Sequence, residues 1–126
     1  MMKKHMNHNH VHFRVEFTIN EGKREDFKKL IQEMARTVQE TEPDTITYQF
    51  YLNKDNTKCI VHETYSNSDA ALTHKNGVAS KTILPKIFEI AKINRFDAYG
   101  IPSEELQNVL TSIGSEMYNL FTGFSR

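Results

Sequence analysis

Residues that can move a proton or hold a ring are concentrated between positions 48 and 74. Glu63 and Tyr65 stand two apart in a stretch of strand character, so they share one face of it. His74 comes nine residues after Tyr65. That is close enough for the segment carrying it to fold back near the strand end. An imidazole titrates near neutrality and suits a general base. Tyr48 and Tyr51 precede them on another aromatic, β-branched stretch. A base, hydrogen-bond donors and aromatic walls can hold a phenolic ring, take its proton and stabilise the anion. The plainer alternative is that Glu63 and His74 bond to each other, or to the backbone, and pin the second helix.

Other reactive side chains have plainer readings. Arg95 could receive an anionic substrate, or be an ion-paired strand arginine. His62 faces away from Glu63 and reads as a half-buried or surface histidine. Cys59, the single cysteine, reads as a small buried hydrophobe. His8, His10 and His12 would point the same way in an extended chain, and with His5 they invite a metal reading. No carboxylate at defined spacing supports them, so the segment reads as a polar tail and no metal site is assigned. No GxGxxG, P-loop, HExxH, GxSxG or CxxC pattern occurs, so nucleotide cofactors and structural zinc have no support and no cofactor is expected.

The elements that must position these residues follow from periodicity. Phe13, Val15, Phe17 and Ile19 alternate with polar residues, which predicts a strand. Phe27, Leu30, Ile31, Met34 and Val38 recur at helical spacing and predict an amphipathic helix over about 22–41, ended by Glu42-Pro43. Residues 45–53 and 57–65 read as a hairpin about the turn 54–56. Ser66 to Asp69 supply N-cap residues for a short helix at 70–74. Asn76-Gly77 interrupts it, and Pro85 kinks or restarts the helix that resumes. A fourth strand spans 93–99, with Gly100 to Pro102 as its stop. Ser103 then caps a helix whose stripe is Leu106, Val109, Leu110, Ile113 and Met117.

The β-α-β-β-α-β order predicts an α+β, ferredoxin-like fold: a four-stranded antiparallel sheet with both main helices on one face and an extra C-terminal helix. Residues 1–11 read as a flexible His/Asn-rich tail, 12–100 as the domain and 101–126 as a helical extension packed on the domain or on a dimer partner. Both faces of the second and third strands carry sizeable groups. The uncovered face is therefore expected to be buried in a homodimer, two sheets enclosing a partly polar chamber.

The chain has 126 residues, one domain's worth. Lys plus Arg and Asp plus Glu are 16 each. With no basic surplus, a nucleic-acid partner is not expected. No apolar run approaches a bilayer span, and the N-terminus lacks an apolar core for a secretory signal. One cysteine suits a reducing compartment, so a cytoplasmic location is expected.

Residues 61–74, with Glu63, Tyr65, Asp69 and His74, resemble the antibiotic biosynthesis monooxygenase family, in which a third strand ends in glutamate, one residue and an aromatic, followed by an acidic turn, a small helix and a histidine. Gly22, Glu42-Pro43 and Tyr48 add to the resemblance, which covers about residues 12–100; Tyr65 replaces the commoner tryptophan. The resemblance implies a dimeric α+β barrel. For some members it implies oxidation of aromatic polyketides or quinols by O₂ without metal, flavin or haem. The asparagine and histidine of a related haem-degrading branch fall near Glu16–Phe17 and Thr82 here, so haem degradation is not expected. On this footing the chain is expected to be a cofactor-independent monooxygenase-like homodimer acting on a small aromatic or quinol. His74 or Glu63 would be the base, and Tyr65, Tyr48, Tyr51 and Arg95 would contact substrate. The alternative is a non-catalytic small-molecule-binding or dimerisation module of the same fold.

Overall fold

The computed structural model describes residues 9–126. The His5 and His8 part of the polar tail lies outside them. Five strands and five helices follow one another as β1 Val11–Ile19, α1 Arg24–Thr41, β2 Thr45–Leu52, β3 Lys58–Tyr65, α2 Ser68–Lys75, α3 Val78–Thr82, α4 Leu84–Phe88, β4 Ala91–Gly100, α5 Glu104–Ser112 and β5 Glu116–Tyr118. The sheet order is β2-β3-β1-β4-β5. Its first four members are antiparallel neighbours in the ferredoxin-like arrangement. β5 joins β4 in parallel, Asp97 opposite Glu116.

The expected four-stranded antiparallel sheet is therefore a five-stranded mixed one. The helical stripe ending at Met117 is also shorter than its spacing suggested. α5 stops at Ser112, Gly114 takes φ +76°, and Met117 lies in β5. A glycine with positive φ two residues past a helix end reverses the chain at no steric cost.

The strand alternation sorts the side chains as period two demands. The face of β1 carrying Val11, Phe13, Val15, Phe17 and Ile19 is buried, and it is shared by Cys59, Val61, Glu63 and Tyr65 of β3. Tyr48, Phe50 and Leu52 of β2 lie opposite Glu63, Val61 and Cys59 on that same face. Ile46 does not join them: a bulge between Thr45 and Thr47 turns it outward, where it is exposed. α1 lays Phe27, Ile31, Met34 and Val38 into the core formed with this face. The segment after β3 breaks into three short helices. Asn67 caps α2 by accepting a bond from the Ala70 amide, and Pro85 opens α4. Ser103 caps α5, whose Leu106 and Leu110 are buried.

Val11 and Gly100 face each other across β1 and β4. Gly100 has φ +117°, and a Cβ there would stand 2.7 Å from the His10 carbonyl oxygen. Both constraints require glycine. Gly100→Ala is expected to lower the unfolding free energy by about 1–3 kcal/mol. A urea titration monitored by circular dichroism that shows an unchanged midpoint would refute that steric account.

Candidate active site

The helix-facing side of the sheet does not close fully against its helices. Between them lies a cavity of about 450 Å³, within the usual size range of small-molecule sites. Most of its wall is apolar: Phe13, Val15, Phe17, Phe50 and Val61 from the sheet, Leu84, Ile87 and Phe88 from α4, and Leu106, Val109 and Leu110 from α5. The polar groups on the wall include Glu63, His74, Tyr48 and Ser80. The expected chamber between two sheets is thus not where these residues meet. Their cavity is enclosed on the covered face by one chain's own helices.

Each polar group is held by a neighbour behind it. The Tyr65 hydroxyl donates to Glu63 Oε1 at 2.5 Å. Both are on the inward face of β3, and the Tyr65 ring is fully buried rather than part of the cavity wall. His74 Nδ1 lies 2.9 Å from Glu42 Oε1. Thr45 Oγ1 donates to the same carboxylate oxygen at 3.1 Å. Ser80 Oγ donates to the His74 carbonyl at 2.6 Å and sits 3.5 Å from Nε2. The His74 ring lies against Tyr48 and Tyr65, centroids 5.2 and 5.5 Å away. The other oxygen of Glu42, Oε2, is buried with no hydrogen-bond partner among the described residues. Gly77 makes room for it, since a Cβ there would come within 3.0 Å.

Burial pushes the Glu63 carboxyl above the ordinary carboxylate range, and Glu42 adds to the push, while His74 and the Tyr65 hydroxyl pull the other way. For His74, burial alone would lower the pKa. The bond to Glu42 and the fields of Glu63 and Glu42 outweigh it and hold the imidazolium above its ordinary value. Burial, with Glu63 beside them, lifts the Tyr48 and Tyr65 hydroxyls well above 10.0, so they stay neutral donors. The site is an imidazole of raised pKa flanked by two acids, with neutral phenols around it.

Two of the sequence-derived site residues are elsewhere. Tyr51 alternates with Phe50 and Leu52 and therefore points to the uncovered face, where its hydroxyl donates to Gln49 at 3.1 Å. Arg95 is on that face too. Its Nε donates to both Asp97 carboxylate oxygens at 3.0 and 2.8 Å and its Nη2 to the Tyr118 hydroxyl at 3.0 Å. Glu42 was legible only as a helix end. A carboxylate in the last turn of a helix meets the negative end of its dipole, and that mismatch was the available hint that Glu42 needs a cationic partner. Cys59 is buried, and burial pushes its thiol up to about 12, which makes it inert. Among the described residues, which include His10 and His12 but not His5 or His8, no cluster of three or more His, Cys, Asp or Glu side chains fit to hold an ion occurs.

A fold with helices on one sheet face is shared by known proteins. The antibiotic biosynthesis monooxygenase pattern matches residues 4–85. The chain belongs to that family. The crystal structure of MupZ from Pseudomonas fluorescens superposes with a TM-score of 0.80 at 26% identity, over 94% of this chain and 95% of that one. SnoaB, a cofactor-independent oxygenase from Streptomyces nogalater whose structure is that of a mutant, aligns at TM-score 0.65 and 11% identity over 75% of this chain and 95% of its own. Rv0793 from Mycobacterium tuberculosis gives 0.65 and 15%, over 75% and 97%. No curated protein matches the sequence significantly.

The raised His74 pKa has a consequence for stability. In the unfolded chain the group returns to about 6.5. The folded state holds the proton more tightly, so its contribution is fully present below that value and is lost as pH rises through the folded pKa. The raised Glu63 carboxyl acts in the same direction from its own lower starting point. Stability is therefore expected to fall as pH rises above about 6.5, and His74→Gln is expected to flatten that slope. Urea midpoints measured across this range for both proteins check it; equal slopes would show that His74 is not held in its charged form.

Proposed function

We propose that this chain is a cofactor-independent monooxygenase-like protein that oxidises a small phenolic or hydroquinone substrate with O₂ in the cavity between sheet and helices. The observation that carries the reading is one apolar chamber with Glu63 and His74 on its wall and a buried acid, Glu42, behind the imidazole. The family match supports it, as does the similarity to SnoaB, an oxygenase described as cofactor-independent.

The pKa directions divide the labour. His74, held as imidazolium by Glu42, is the poorer base and the better partner for a developing phenolate. Glu63, a carboxylate whose proton affinity is raised by burial, takes the substrate proton. Tyr65 keeps Glu63 oriented through its short hydrogen bond, and Tyr48 offers a neutral hydroxyl at the cavity wall. The electron-rich anion then gives an electron to O₂. One oxygen atom enters the substrate and the other leaves as water, with all four electrons drawn from the substrate. The apolar walls keep solvent from the intermediates.

The protein is further read as a cytoplasmic homodimer formed through the uncovered sheet face. That face carries Tyr51, and His62, Gln49, Thr47 and Tyr99 around a shallow depression. Among the described residues, no helix is long and apolar enough to cross a membrane.

Oxygen uptake with a panel of hydroquinones and polycyclic phenols, after metal chelation, tests the activity. Turnover is expected. Saturable binding without uptake would instead make this a small-molecule-binding module. Glu63→Gln and His74→Gln are each expected to reduce kcat/KM by about 10²–10⁴-fold. Tyr51→Phe and Arg95→Ala are expected to leave it near wild type, because both side chains are on the other face. Full turnover by a folded His74→Ala protein would remove His74 from the chemistry.

A further inference from the structure

The side chains on the cavity wall are sorted by polarity along its length. At one end Phe13 of β1 lies between Glu63 of β3 and Ala98 of β4, and Tyr48 of β2 faces Glu63. His74 packs on the Tyr48 ring there, and Ser80 Oγ sits 3.5 Å from its Nε2. Lys75 follows His74 in the last turn of α2 and lines the cavity as well. Tyr48, Glu63, His74, Lys75 and Ser80 are the polar lining side chains among the described residues, and they stand together.

The rest of the wall is hydrocarbon. The next inward row is Val15, Val61, Phe50 and Phe96. The row after it sets Phe17 opposite Ile93, with the Phe88 ring centre 6.3 Å from that of Phe17. Four residues of strand separate Phe13 from Phe17, about 13 Å. α5 covers a similar distance. It starts beside α2, where the Ser103 amide donates to Ser68 Oγ at 2.9 Å, and nine steps of helical rise carry it about 13 Å to Ile113. Burial follows the same axis. Phe13 and Glu63 are 7% and 8% exposed, whereas Ile93, Phe88 and Ile113 are 38%, 48% and 52% exposed. Apart from exposed Lys75, the polar end is buried or half-buried, and the far, apolar end is open.

A ligand that matches this wall is polar at one end only. A compact ring seated at Glu63 and His74 leaves the two apolar rows without contacts. A polycyclic compound with hydroxyls or carbonyls around its edge would press them against Val15, Phe50 and Phe96, whose side chains offer no hydrogen bond, at a desolvation cost. An apolar tail fills the rows instead and gains with each carbon removed from water.

We propose that the cavity takes a single-headed amphiphile, with a phenol or hydroquinone head at Glu63 and His74 and an unbranched apolar tail that runs past Val15 and Phe96 to the opening at Phe88, Ile93 and Ile113. The head rests on the proposed function; the tail rests on the wall alone.

Calorimetric titration of the intact chain, without oxygen, with para-cresol, para-butylphenol and para-octylphenol tests the tail. Each buried methylene is expected to tighten binding by roughly three- to fourfold, so octylphenol is expected to bind about tenfold or more tighter than cresol. Ile93→Ser and Ile113→Ser together alter two exposed positions, and this variant is expected to keep its circular dichroism spectrum. It is expected to cut the ratio of octylphenol to cresol affinity by about threefold or more. Octylbenzene, which has the tail without the hydroxyl, is expected to bind the wild-type chain about tenfold more weakly than octylphenol. No binding, equal affinity across the series, an unchanged ratio in the folded double variant, or octylbenzene binding as tightly as octylphenol each overturns the proposal. Oxygen uptake separates this inference from the reading it deepens. Tail-dependent binding without uptake keeps the amphiphile site and removes the oxidation. Uptake with hydroquinone that no added tail improves keeps the oxidation and removes the tail.

Discussion

The contact between Glu42 and His74 is the constraint around which the rest of this molecule is arranged. A carboxylate and an imidazole removed from water lose hydration that each helps the other to replace. At 2.9 Å they do so, but the contact joins residues far apart in the chain: the C-cap of α1 and the last turn of α2. Closing it requires α1 to end at Thr41, just before Pro43, β2 to run back along the sheet, and α2 to fold over the end of β3. Ser80 and Gly77 complete the enclosure, one tying the His74 carbonyl and the other leaving space for the carboxylate.

The chamber inherits its chemistry from that arrangement. Its walls are apolar because they are the core faces of strands and short helices that do not quite meet. Its polar groups stand on the wall because β3 places Glu63 on the inward face, one alternation before Tyr65, and α2 brings His74 over it. Burial raises the proton affinity of the acid, and the acids raise that of the imidazole. An acid and an imidazole, both of raised proton affinity, thereby stand close together in a dry site.

Much of this was legible from spacing. The alternation in β1 and the 3.6-residue stripe of α1 are signals that tertiary packing reinforces. The shared face of Glu63 and Tyr65 needed only period two. Other expectations failed for identifiable reasons. Ile46 belongs by alternation to the face of Tyr48, but a bulge removes it. Met117 continues the stripe of α5, but Gly114 ends the helix first and the residue becomes a strand. Tyr51 and Arg95 are the right types for an aromatic, acid-binding site, yet each lies on the uncovered face. The cavity that Glu63 and His74 line lies beneath the helices, a place no spacing pointed to.

Residue order alone determined which segments become strand or helix and which side chains share a face, because those depend on periods of two and 3.6 that neighbouring residues set among themselves. It also determined the βαββαβ succession, whose crossovers have a preferred hand. Only the folded chain decided that the covered face is the one with the cavity, that β5 adds a parallel edge, and that Glu42 meets His74. Those outcomes turn on how far three short helices stand from a sheet, and on contacts across 32 positions of sequence, distances that no local pattern encodes.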